Sequence, residues 1–138
     1  MEFLKQCLFS PVEGVVTIDG RPSSDAIIKK KYSWGNKKET KETETKTDIN
    51  GSFEFDASYS SSVFTSLFPH EPLITQYIYI EHNQKSYLGW RYEKGSYDIG
   101  AETGKSPIKL ICDLMWEEQF HNDDNPLRRY LGICRVLE

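Results

Sequence analysis

The chain has 138 residues, a length that suits one domain with a single core and is short for two. Hydrophobic residues make up 38% and charged residues 28%, which excludes a transmembrane protein and is too apolar for a disordered one. The net charge of -4 argues against nucleic-acid binding, because neutralising phosphates requires clustered Lys and Arg. We therefore predict a single domain, residues 1–138, that binds neither nucleic acid nor membrane.

The first third of the chain is predicted to form strands. Val12 to Asp19 has apolar residues in phase, and Asp19-Gly20 supplies a turn. Ala26 to Trp34 alternates and places four residues on one face, namely Ile28, Lys30, Tyr32 and Trp34. Asn36 to Lys46 holds Lys, Glu and Thr without an aliphatic residue, which favours a solvated edge strand or hairpin arm over a charged docking strip.

The middle of the chain predicts a turn, a helix and a hairpin. Asp48 to Gly51 reads as a tight turn that leads into a strand with Phe53 and Phe55 on one face. Ser60 to Phe68 has helical spacing before a proline, so we expect a short helix. Leu73 to Glu81 and Ser86 to Tyr92 alternate on either side of a polar turn, which predicts a hairpin with Leu88, Trp90 and Tyr92 on one face.

The last third is predicted to hold two more strands. Glu93 to Ser106 contains three glycines and reads as a loop, after which Ile108 to Leu114 alternates as a strand with Cys112 on its buried face. Trp116 to Phe120 is expected to form a helical turn, and Tyr130 to Leu137 a final strand. The whole pattern predicts an all-β, antiparallel sandwich of the immunoglobulin-like or prealbumin-like type, with seven or eight strands and a short helical insertion.

The cysteines and the first residues bear on the compartment. Cys7, Cys112 and Cys134 match no zinc spacing and no disulfide framework, so we expect buried thiols. The start carries an acid at Glu2 and has no apolar run of signal-peptide length, which predicts a cytoplasmic location.

Three phrases of the sequence resemble a known family. They run from Val12 to Pro22, over Ala26-Ile27-Ile28, and from Thr47 to Phe55. Their form is similar to the G-x-V-x-x-x-G-x-P-x-x-x-A-x-V and T-D-x-x-G-x-F patterns of transthyretin-like and carboxypeptidase-regulatory-like sandwich domains. The resemblance covers about two fifths of the chain and implies the fold better than the function. Stand-alone cytoplasmic sandwiches of this kind also resemble bacterial immunity proteins that neutralise toxins.

Catalysis draws little support from the residues. The resemblance associates purine-pathway hydrolases with a C-terminal Tyr-Arg-Gly-Ser, which is missing from the Cys134 to Glu138 end, and a pilin-type Lys to Asn cross-link through Lys29 has nothing to fix its geometry. His70, His82 and His121 show no metal-ligand spacing. We therefore predict no enzyme activity, metal or cofactor.

Aromatic and acidic residues point to a binding surface. Tyr and Trp are enriched at interface hot spots, although the same rings can instead complete a core. The residues predicted to meet a basic partner, a toxin or effector, are Glu71, Tyr77, Tyr79, Glu81, Tyr97, Asp98 and Glu102. The interpretation is a protein-binding domain, an immunity protein of a type VI secretion toxin and immunity pair, and the alternative is a carbohydrate- or small-ligand-binding module. The oligomeric state stays open.

Overall fold

The computed structural model describes residues 6–34, 39–60 and 73–137, and all regular secondary structure in them is β-strand. The strands are β1 (Gln6–Phe9), β2 (Val12–Ile18), β3 (Arg21–Pro22), β4 (Ile27–Trp34), β5 (Glu39–Lys46), β6 (Ser52–Phe55), β7 (Ser58–Ser60), β8 (Ile74–His82), β9 (Lys85–Lys94), β10 (Ile108–Asp113), β11 (Gln119–His121), β12 (Tyr130–Gly132) and β13 (Arg135–Val136). Within these ranges no helix is long and apolar enough to cross a membrane.

The strands form a sandwich-like arrangement of sheets. A six-stranded antiparallel sheet has the order β11-β12-β9-β8-β4-β5. A five-stranded sheet has the order β13-β10-β2-β3, with β6 also paired to β2, and β1 pairs with β7 in a small third sheet. One cluster of buried residues joins the sheets and includes Val16, Ile78, Trp90 and Leu110. The prediction of an all-β fold is confirmed.

Two details of the predicted fold are wrong. The described residues contain 13 strands rather than seven or eight, because short pairings such as β3 and β13 have too few residues to produce an alternating pattern. The five-stranded sheet is also mixed, since β10 runs parallel to β2 with Ile108 opposite Val12. Alternation within a strand shows which side chains share a face, but it carries no information about the direction of the neighbouring strand.

Of the two predicted helical segments, one lies mostly outside the described residues and the other ends in a strand. Ser60 ends β7, and the rest of the predicted helix up to Phe68 lies outside the described residues. The helical turn predicted from Trp116 to Phe120 is wrong at its end, because Phe120 belongs to β11 and pairs with Leu131. The pairing strand β12 comes later in the chain, so the local spacing could not reveal it.

The predicted faces of the six-stranded sheet are largely confirmed. Ile28, Lys30, Tyr32 and Trp34 of β4 are buried, and the charged strand β5 is an edge. Leu88 is an exception, because the register shifts between Ile78 and Tyr79 and Leu88 then lies opposite Tyr79 on the outer side. The bulge falls at Gly89, where an added Cβ would lie 2.8 Å from Cys134 Sγ.

The predicted final strand is broken in two, and its halves belong to different sheets. β12 pairs with β9 in the six-stranded sheet, whereas β13 pairs with β10 in the five-stranded one. At the crossing Cys134 forms a disulfide with Cys112, both fully buried, so the expectation of thiols is wrong for this pair. Cys112 lies in β10 and Cys134 between β12 and β13, segments that are separated in the sequence and meet only in the fold. Cys7 is a buried free cysteine.

The predicted turns are confirmed. Asp19 and Gly20 have φ of 52° and 81°, the left-handed region that such a turn needs. Asp48 Oδ1 accepts hydrogen bonds from Asn50 N and Ser52 N, both at 2.9 Å, and so caps the turn before β6.

Candidate functional site

The solvent side of the six-stranded sheet, called the outer face below, carries one row of side chains across all its strands. Residues that pair across neighbouring strands have side chains on the same side of a sheet. In order from β11 to β5 the row consists of Phe120, Leu131, Arg91, Tyr77, Lys31 and Glu42. The face is therefore continuous from one edge of the sheet to the other.

Tyr77 and Tyr79 form the centre of the outer face. Their rings stack with centroids 5.8 Å apart and planes 9° apart, and Arg91 lies over the Tyr77 ring at 6.0 Å. The pKa of the Tyr79 hydroxyl is raised, mainly by partial burial and to a smaller extent by the neighbouring Tyr77. Both rings are half-buried by neighbours on the sheet. They provide a rigid aromatic patch that stays open to solvent.

Charged side chains surround this patch. Glu81 forms an ion pair with Lys29, with 2.8 Å between Lys29 Nζ and Glu81 Oε2. Glu42 and Glu44 lie on the edge strand β5, and Glu93 is exposed on β9. The direct cross-strand neighbours of Tyr77 are the cations Lys31 and Arg91, and the carboxylates lie further out on the same face.

The loop that follows β9 holds three more of the predicted residues, of which only Asp98 is exposed as predicted. Tyr97 is half-buried, with its ring edge-on to Trp34 and its hydroxyl accepting a hydrogen bond from Trp34 Nε1 at 3.1 Å. Glu102 is 1% exposed, so the expectation that it meets a partner is wrong. Its carboxylate is held inside the fold by partners that sequence spacing could not show.

The structure does not bring the predicted residues together on one surface. Tyr97 contacts Trp34, which pairs with Ile74 at the start of β8, whereas Glu81 lies near the end of that strand. β8 has 9 residues, so its ends lie roughly 25 Å apart. Tyr77, Tyr79 and Glu81 share the outer face, the loop residues lie at the opposite end of β8 from Glu81, and Glu71 lies outside the described residues.

A buried polar cluster, which the sequence did not predict, lies beneath the loop. Lys94 Nζ is 3.1 Å from Glu102 Oε1, and both side chains are fully buried. Ser10 Oγ and Gln76 Nε2 donate to the same carboxylate at 2.6 and 2.9 Å, and Trp90 Nε1 donates to Gln76 Oε1. Burial alone would raise the pKa of Glu102, but Lys94 and these hydrogen bonds outweigh it and hold the pKa below its usual value. A sequence signal existed, since Lys94 is in phase with Trp90 and Tyr92.

A second buried lysine lies between β4 and the β1–β7 pair. Lys30 is 3% exposed and its Nζ donates to Asp56 O and Ser58 Oγ, each at 2.8 Å. The ammonium lies over the rings of Phe9 and Phe55 at 5.1 and 5.5 Å. Burial lowers the pKa of Lys30 to about 8.

The histidines do not gather with other ligands in the part of the chain that is described. His121 stacks on Tyr130 with centroids 4.5 Å apart, and its Nε2 is 2.9 Å from Gly132 O. His82 lies at the hairpin turn, and His70 falls outside the described ranges. Over residues 6–34, 39–60 and 73–137 no three His, Cys, Asp or Glu side chains are placed to hold a metal ion.

Comparison with known proteins gives one match. A family model described as a domain of unknown function, DUF6795, matches residues 12–117, from β2 through the turn after β10. No curated protein and no solved structure matches the chain. The matched range contains most of both main sheets and the centre of the outer face, and the chain belongs to the DUF6795 family.

Proposed function

We propose that the domain is a non-catalytic binding protein that docks a basic protein partner on its outer face. The observation that carries the proposal is the stacked pair Tyr77 and Tyr79 at the centre of a continuous sheet face. Tyrosines lose little side-chain entropy on binding and are enriched at hot spots. Because these two are already held by each other, ordering them against a partner costs little.

The net charge of the chain, -4, supports a basic partner. Carboxylates such as Glu42, Glu81 and Glu93 lie on the outer face, where Lys31 and Arg91 are the direct neighbours of Tyr77. Rim charges of opposite sign speed the encounter of two proteins and restrict which partners fit. An apolar aromatic centre with a charged border is also the usual anatomy of a protein interface.

The partner that we propose is a basic bacterial toxin or effector, which makes the domain an immunity protein. This part of the proposal is supported by the acidic charge and by the N-terminal motifs described above. It places the protein in the cytoplasm, and the Cys112–Cys134 disulfide counts against that compartment, because disulfides are rare where thiols are kept reduced. Alkylation of the cysteines in intact cells, followed by mass spectrometry, shows whether Cys112 and Cys134 are free thiols, as expected in the cytoplasm, or are joined in a disulfide.

Carbohydrate binding is the second proposal and draws less support from the outer face. Sugars bind aromatic side chains through an open ring face. Tyr77 and Tyr79 stack on each other, so each covers one face of its neighbour, and Arg91 also lies over Tyr77. A glycan array on which the domain binds one glycan class, with loss of that signal in Tyr79→Ala, would favour the sugar proposal instead.

The protein-binding proposal is tested with a partner co-purified from the native host. We expect Tyr77→Ala and Tyr79→Ala each to weaken its binding by about 2 kcal/mol, measured by calorimetry, since hot-spot tyrosines carry energies of this size. The matched control is Tyr59→Ala, an exposed tyrosine on β7 and outside the outer face. The association rate should fall as salt is raised. Unchanged affinity in both outer-face variants, with unchanged thermal midpoints, contradicts the proposal.

A further inference from the structure

A polar cavity of about 730 Å³ lies away from the centre of the outer face, between the loop after β9, the segment from His121 to Arg128, and β13. Its volume is in the range of pockets that take small molecules. Three cationic side chains from three separate segments line it, namely Lys105, Arg128 and Arg135. This concentration of positive charge is unexpected in a chain whose net charge is -4.

Two of the cations are held in place by their neighbours. Arg128 Nη1 donates to Thr103 O at 3.1 Å, and the guanidinium packs directly on Gly104. A Cβ at Gly104, whose φ is +89°, would lie 2.7 Å from Arg128 Nη1, so a side chain there would displace the arginine. The guanidinium of Arg135 lies over the Trp116 ring at 3.9 Å. Fixed guanidinium groups lose less freedom when they bind a ligand.

The positive charge of the cavity is not balanced by nearby carboxylates. Among the described residues Lys105, Arg128 and Arg135 take part in none of the ion pairs. Of the two acids that line the cavity, Glu102 is paired with Lys94 at 3.1 Å, which leaves Asp124. Among the described residues that line the cavity, three cations therefore face one carboxylate, and an anion would relieve their mutual repulsion.

We propose that this cavity is a binding site for a small, multiply charged anion that bears phosphate or carboxylate groups. Guanidinium forks bind both groups through paired hydrogen bonds, and a lysine adds a third charge. The cavity exceeds what a single inorganic phosphate fills, which favours a compound with two or more anionic groups. The site is distinct from the Tyr77 and Tyr79 patch, so it does not depend on the protein partner.

Calorimetric titration with pyrophosphate and with citrate, at physiological salt, tests the site. We expect millimolar or tighter binding of at least one probe, and the preferred probe distinguishes phosphate from carboxylate ligands. Arg128→Gln and Arg135→Gln should each weaken binding about tenfold or more, the size of a lost charge-assisted hydrogen bond. Lys105→Gln should also weaken binding of the probe.

The matched control is Arg129→Gln, which removes the same charge from the adjacent position. Arg129 pairs with Asp123 at 2.8 Å and lies over Phe120, and it is not part of the cavity lining. We expect this variant to bind the probe as the wild type does. Failure of both probes to bind the wild type at millimolar concentration overturns the proposal. An equal loss in Arg129→Gln also overturns it, because the effect would then be one of net charge.

Discussion

Lys94 and Glu102 are charged residues of the kind normally found on the surface, yet both are buried. Both lie in the core with no exposed surface on their side chains. Ser10 and Gln76 complete the hydrogen bonding of the carboxylate, and Trp90 holds Gln76. A buried pair of this kind is tolerated when every polar atom is satisfied, and it becomes costly when one partner is removed.

Glu102→Gln should lower the free energy of unfolding by about 3 kcal/mol or more, because the Lys94 ammonium then stays buried without its counter-charge. Urea unfolding at neutral pH measures the change. The double variant Lys94→Met with Glu102→Met is the control, since it removes both charges and should cost less than the single change. A single variant as stable as the wild type would show that the pair contributes nothing to the fold.

At the scale of elements, the end of the chain decides how the sheets are joined. Gly132 has φ of 153°, and a Cβ there would lie 2.1 Å from Gly89 O, so the two glycines let β12 approach the bulge of β9. The chain then crosses to β13 on the other sheet. The Cys112–Cys134 disulfide lies at this crossing and joins cysteines with a sequence separation of 22.

Removing the disulfide should lower the free energy of unfolding by about 3 kcal/mol, because the unfolded chain gains the freedom of the opened loop. The comparison is the wild type against Cys112→Ser with Cys134→Ser in urea, with and without a reducing agent. The wild type and Cys7→Ser both keep the disulfide and should respond to the reductant, whereas the Cys112→Ser and Cys134→Ser double variant should not. Identical stability of all three proteins in both conditions would be evidence against a structural disulfide.

At the scale of the whole molecule, Lys30 links the stability of the fold to pH. Its pKa in the folded chain is about 8, against 10.5 for an ordinary lysine. Between these values the unfolded chain keeps a proton that the folded chain has lost, so the free energy of unfolding rises with pH. Tyr130 acts in the opposite direction at higher pH, because burial raises its pKa to about 12 and the unfolded chain loses that proton first.

We expect the wild type to gain about 2 kcal/mol relative to Lys30→Met when the pH is raised from about 7 to about 10. Urea unfolding at several pH values measures the difference. Lys29→Met is the matched control, since Lys29 pairs with Glu81 on the outer face and its pKa is raised, so the variant should keep the gain. Parallel pH profiles for the wild type and Lys30→Met would mean that Lys30 titrates as an exposed lysine does.

Local patterns in the sequence predict much of the fold. The alternation of β4 and β8, the Asp48 turn and the charged edge strand β5 are all confirmed, because each depends on residues close together in the chain. The same patterns place Tyr77, Tyr79 and Glu81 on one face of a strand. They also place Trp90 and Tyr92 on one face of β9, and both are buried in the core.

Pairings between distant segments were decided only by the tertiary structure. The parallel neighbour of β2 and the disulfide join residues far apart in sequence, and periodicity reports only which side chains share a face. The bulge that turns Leu88 outward lies within one hairpin, but it interrupts the alternation from which the faces are predicted. The burial of Glu102 depends on Lys94, Ser10 and Gln76, which no spacing rule links to it. The sequence by itself determined the longer strands and most of their faces, because these follow from local alternation. The fold alone decided which charges are buried and which gather around the cavity, because burial depends on what packs above a residue.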